Sequence, residues 1–172
     1  LDLAELALKS AEIPSSVRND VASDASAVRS SVCAALPPLL KPLVVWHPEH
    51  ANRALDLLWS LEADELKGNS PGNSNAITAI AEAASFEVHK PILAAQMVLE
   101  WLDHKVQEPD VLARFRSQPW ILNALLKPFF GRDVEHTWSI GRIIHFSSGP
   151  LDMDRTRPLR QKALGIANRF LL

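Results

Sequence analysis

A few short stretches hold residue types that could do chemistry. "HPEH", 47–50, sets His47 and His50 three apart with Glu49 between them. Two histidines at that spacing share a helix face and can hold a metal. Pro48 separates them, however. A proline suits the first helical position, which leaves His47 ahead of the helix, and no third ligand follows at a metal-site spacing. Capping and surface roles are expected for both. "VEHTW" and "IIHF" supply His136 and His145, with Glu135 alongside as an acid/base partner. If both lie on a hairpin with a two-residue turn, alternation puts the histidines on opposite faces. An enzyme with a scattered site around His136 and Glu135 is therefore the least favoured of three function classes. Cys33 is the sole cysteine, flanked by Ala34 and Ala35. With no Cys–His pattern around it, a buried structural thiol is expected rather than a nucleophile.

No phosphate-cradling glycine loop and no G-x-S-x-G elbow occurs. No catalytic, cofactor or metal residue is assigned, and the chain is not expected to be an enzyme. What remains is binding. Arg155, Arg157, Arg160, Lys162 and Arg169 gather near the C-terminus, with Asp152 and Asp154 the only acids among them. Such a patch could meet a nucleic-acid backbone or an acidic partner, though a solvated helix face is the commoner reason for one. No aromatic RNA-binding motif accompanies it. Of the five tryptophans, Trp59 and Trp101 are expected in the core. Trp138 is the candidate partner contact, because aromatic anchors dominate interface energetics. The candidate contact residues are thus Trp138, Arg155, Arg157, Arg160 and Lys162.

Composition narrows the class. The chain has 172 residues with a net charge of −2, so it is not a polycation built for nucleic acid or anionic membranes. A single cysteine forbids an intramolecular disulfide, which suits a reducing compartment. No stretch approaches the roughly 18 apolar residues of a membrane span, so a cytoplasmic location without membrane contact is expected. The chain opens on Leu1 in a helix-like run with no signal-peptide pattern. A segment of a longer polypeptide is the expectation.

The elements that must position these residues are mostly helical. Residues 1–13 carry a short helical pattern around Leu3, Leu6, Ala7 and Leu8. After Pro14, Ser15 or Ser16 can cap a second helix, whose Val17, Val21, Ala25, Val28 and Val32 recur at steps of four and three. Pro37 and Pro38 predict its end at about Leu36, since proline donates no N–H and clashes with the preceding turn. "LLKPLVVW", 39–46, reads as a short buried helix. "KGNSPGNS" is a loop. "NSNAITAIAEAAS", 73–85, is an alanine-rich helix capped by Asn73 or Ser74, and "QPWILNALLKPFFG", 118–131, is an apolar helix stopped by Gly131. In 133–151 alternation replaces the helical period: Val134, His136 and Trp138 interleave with Glu135, Thr137 and Ser139. A β-hairpin over 133–147, turning near Ile140 and Gly141, is expected to rest on the helices.

One helix design recurs. After Pro48 the polar residues fall at Arg53, Asp56 and Ser60; after Pro91 they fall at Gln96, Glu100 and Asp103. Apolar residues fill most other places, as in a helix packed on two or three sides. "RPLRQKALGIANRFLL" repeats the theme from Pro158. Pro48 and Pro91 are 43 residues apart, and Pro91 and Pro158 are 67 apart with the strand-like insertion between. A period of about 40–47 residues matches HEAT or armadillo-like repeats.

In "ANRALDLLWSL", "IAEAASFEVHKPILAAQMVLEWL" and "RPLRQKALGIANRFLL" the chain resembles, over residues 40–172, the α-helical repeat region of large bacterial STAND-type signalling NTPases. The resemblance implies a repeat array used for sensing or assembly, with the nucleotide-binding module elsewhere. The expectation is one mainly α domain over 1–172, an α-solenoid of HEAT-like repeats with a hairpin insertion. Its expected role is a non-catalytic protein-interaction or sensor region of a larger protein, bound to a protein partner or to other domains of its own polypeptide. The alternative is a nucleic-acid-associated helical domain using the basic C-terminal helix.

Overall fold

A computed structural model of the chain describes residues 19–65, 74–85, 92–130 and 153–170. Among the described residues the protein is helical, with no strand. The helices are α1 (Asn19–Trp46), α2 (Pro48–Glu65), α3 (Asn75–Ala83), α4 (Ile92–Lys105), α5 (Pro109–Ser117), α6 (Pro119–Phe130) and α7 (Met153–Asn168). The expected helix at 1–13, the loop at 67–74 apart from Ser74, and the hairpin at 133–147 lie outside the described residues.

Local sequence explains most boundaries. Pro48, Pro109 and Pro119 each open a helix, where the absent N–H costs nothing. Ser74 caps α3: its hydroxyl accepts from the Ile77 N–H at 3.2 Å, while its carbonyl accepts from the Thr78 hydroxyl at 2.9 Å. Between the two candidate caps, Asn73 and Ser74, the serine holds the position. A single residue, His47, links α1 to α2, so the chain folds straight back on itself.

Two proline expectations are corrected. α1 does not stop at Leu36 but runs unbroken for 28 residues with Pro37, Pro38 and Pro42 inside it, joining the expected 39–46 helix to the one before. The cost of an internal proline is roughly 3 kcal/mol. Against it stands an apolar inner face: Pro37, Leu40, Val44 and Val45 are buried, and Leu36 and Leu43 pack against the same core. α7 likewise begins at Met153, ahead of Pro158, which it contains.

α1 packs on α2, α3 and α4, and α2 packs on α3 and α4. α3 also meets α4 and α6, α7 meets α4 and α6, and α5 meets α6. The alanines of α3 and its C-cap allow close packing, since Ala76, Ala79, Ala83 and the capping Ala84 are all buried. The core runs continuously through Leu55, Leu58, Ile77, Ile80, Leu99, Leu102, Ile121, Leu125 and Ile166. No helix among the described residues is long and apolar enough to cross a membrane.

Candidate interaction surface

The polar strips lie where their spacing puts them. Arg53, Asp56 and Ser60 on α2 are exposed, as are Gln96 and Glu100 on α4; Asp103 is half-buried. Behind the strips the two helices meet through aromatic rings. Trp59 and Trp101 stand edge to face with centroids 6.0 Å apart, and Trp101 is only 6% exposed. Phe115 of α5 adds a second edge contact to Trp59 at 5.5 Å, and Phe170, just past α7, extends the run at 5.8 Å. Such pairs add about 0.5–1.5 kcal/mol each beyond area burial.

Charged groups near these rings are engaged with one another. Glu62 is fully buried and paired with Arg114 of α5, whose guanidinium also sits 4.9 Å from the Trp59 ring centroid. Lys105 reaches Asp56 at 3.2 Å and Glu108 at 3.0 Å. Burial pulls the Lys105 ammonium toward neutrality, but hydrogen bonds to Glu108 and Asp56 outweigh it and hold its pKa above the usual lysine value. Lys41 joins α1 to α3 through Glu82 at 2.6 Å. These pairs tie helix to helix, and none frames a cleft with a nucleophile and a base aimed into it.

The basic residues divide. Arg157 is exposed and Arg160 is buried at 8% exposure. Lys162 lies 3.8 Å and Arg169 2.9 Å from the carboxylate of Asp103, so both lean onto α4. Arg155 lies in α7, and Trp138 falls outside the described residues. The structure thus brings Lys162 and Arg169 together, but over an acid rather than as an open cationic face.

The "HPEH" histidines sit at the α1–α2 corner, with ring centroids 6.5 Å apart. His47 Nδ1 lies 3.3 Å from the Glu49 carboxylate, and all three residues are exposed. A backbone hydrogen bond at the start of α2, with His47 adding a second, draws the Glu49 carboxyl below its usual pKa. Among the described residues no three metal-ligating side chains converge.

Sequence reasoning missed two features. The short helix α5 escaped notice, although Pro109 at its start and the Val111–Phe115 step mark it. The outer face of α1 also escaped: Leu39 is 67% exposed and Trp46 58%, the highest among the large hydrophobic side chains of the described residues. Comparison with known proteins finds no matching family model, no matching curated protein and no matching solved structure.

Proposed function

We propose that the chain is a non-catalytic interaction or scaffold region of the α-solenoid, HEAT-like kind, working within a larger cytoplasmic protein. One observation carries the reading. The three helices that carry the recurring theme in sequence, α2, α4 and α7, touch in succession, α2 on α4 and α4 on α7. Stacked units of this kind bury a shared core and leave an extended surface for a partner. Here that surface is the exposed strip of α2 and α4, with Arg53, Ser60, Gln96 and Glu100. The resemblance to STAND-type repeat regions extends the proposal to a sensing array beside a nucleotide-binding module, with the hairpin at 133–147 as an insertion in it.

The nucleic-acid alternative has less support, since Arg160 is buried and Lys162 and Arg169 lean on Asp103. Two experiments test the proposal. Truncation before Met153 should leave α1–α6 folded with a cooperative urea transition, because each unit of an array leans mainly on its neighbours; loss of all cooperative structure would refute the array. The double variant Arg53→Glu/Glu100→Lys should keep its melting temperature yet lose the protein that co-purifies with wild type from its native source. Undiminished co-purification would move the binding surface elsewhere.

A further inference from the structure

The corner between α1 and α2 holds two histidines that core packing does not use. His47 is the single residue between the helices, and its carbonyl accepts from the His50 N–H at 2.9 Å. His47 is therefore the N-cap of α2, and His50 is the third residue of that helix. In a capping box these are the two positions whose side chains reach toward each other. Here both carry imidazoles, with ring centroids 6.5 Å apart and planes inclined at 32°. Both rings are exposed.

Glu49 gives the pair a direction. Its carboxylate lies 3.3 Å from Nδ1 of His47. An ionised carboxylate can only accept, so Nδ1 donates, and in the neutral ring Nε2 keeps its lone pair. A carboxylate behind one ring nitrogen is how a metal-ligating histidine is oriented and made more basic at the other. The local field does not repel a cation. The negative end of α1 and the positive end of α2 meet across His47, so their partial charges oppose each other. α1 has no basic residue in its last turn, and Glu49 adds a full negative charge in the first turn of α2. Arg53, three residues past His50, works against a cation, but it stands on an exposed face where solvent and salt screen it.

We propose that His47 and His50 form a two-histidine site for a borderline divalent transition cation, Cu²⁺ ahead of Ni²⁺ and Zn²⁺, with Glu49 as the positioning residue behind His47. Imidazole nitrogen suits these ions, and affinity along the series peaks at Cu²⁺. Metal–nitrogen bonds of about 2.0–2.1 Å bring two centroids to roughly 5 Å around one ion. Rotation of the exposed His50 side chain closes the difference from 6.5 Å. Two protein ligands leave the other coordination positions to water, in keeping with the lack of a third converging ligand among the described residues. This proposal does not depend on the repeat-array reading.

Calorimetric titration of the full chain with Cu²⁺, Ni²⁺, Zn²⁺ and Mg²⁺ tests it, with nitrogen-15 spectra of the histidine rings in the Zn²⁺ complex to locate the ion. Cu²⁺ should bind tightest, and Mg²⁺, which prefers oxygen ligands, should not bind here. His47→Ala and His50→Ala should each weaken Cu²⁺ about tenfold or more, because the second imidazole closes intramolecularly. Glu49→Ala should weaken it about tenfold and remove the preference of His47 for ligation through Nε2. His104→Ala, at a lone exposed histidine of α4, should change nothing. Without metal every variant should melt as wild type does, since all four side chains are exposed. Equal Cu²⁺ affinity in wild type and in His47→Ala/His50→Ala, or ligation of His47 through Nδ1, would overturn the proposal.

Discussion

The indole N–H of Trp101 donates to Oδ1 of Asp56 at 3.0 Å, joining α4 to α2 across 45 residues of sequence. Asp56 belongs to an exposed polar strip, yet it accepts from a tryptophan that is almost fully buried and also pairs with Lys105. Asp56→Ala should therefore cost about 1–3 kcal/mol, the penalty for stranding a buried donor. Ser60→Ala, one turn along the same strip, should cost far less, because its hydroxyl bonds only to the Asp56 carbonyl within the helix. Urea titration of both variants checks the contrast. Equal stabilities would mean that the bond between the two helices contributes nothing.

Removing Trp59 or Trp101 should be severe. Each joins a set of edge-to-face rings against the core, so Trp59→Ala and Trp101→Ala should each cost about 3–5 kcal/mol. Arg53→Ala and Glu100→Ala on the exposed strips should stay within about 0.5 kcal/mol. Denaturant midpoints measured side by side decide this. Tryptophan variants as stable as wild type would reverse the assignment of faces.

The Glu62–Arg114 pair should behave as a buried ion pair. Arg114→Ala leaves the carboxylate buried without that cation and should cost about 3–5 kcal/mol. The double variant Glu62→Leu/Arg114→Met should recover most of the loss, because no charge then remains inside. A double variant less stable than Arg114→Ala would contradict this account.

Lys105 predicts an alkaline limit. Folding holds its pKa above the ordinary lysine value, so the folded state favours the protonated form. The resulting stability is complete below the unfolded value of about 10.4 and is lost as pH rises through the higher folded one. The stability gap between wild type and Lys105→Met should be constant near neutrality and shrink above about pH 10. A gap that widens in alkali would reverse the sign of the coupling.

Sequence and structure agree where one helix decides its own pattern. The strips at Arg53, Asp56, Ser60, Gln96 and Glu100 were legible because exposure follows from periodicity. Ser74 was legible because capping is local chemistry. The prolines of α1 misled, because their cost is local while the burial of Leu40 and Val44 that offsets it depends on α2 and α3. Nothing local in the sequence marks Glu62 as buried; its partner Arg114 lies far along the chain. The basic patch was legible as composition, but its internal use depended on Asp103 of another helix.

The prolines inside α1 also divide its cooperativity. Positions 37, 38 and 42 carry no amide hydrogen, so the carbonyls of Cys33, Ala34 and Pro38 receive no bond from the residue four ahead. Helical order passes along a chain through that ladder of bonds, and here three rungs are missing between positions 33 and 42. The turns before Cys33 and the turns from Leu39 to Trp46 are continuous in shape but should exchange their amide hydrogens separately. The later turns should share the opening free energy of the core on which Leu40, Val44 and Val45 pack.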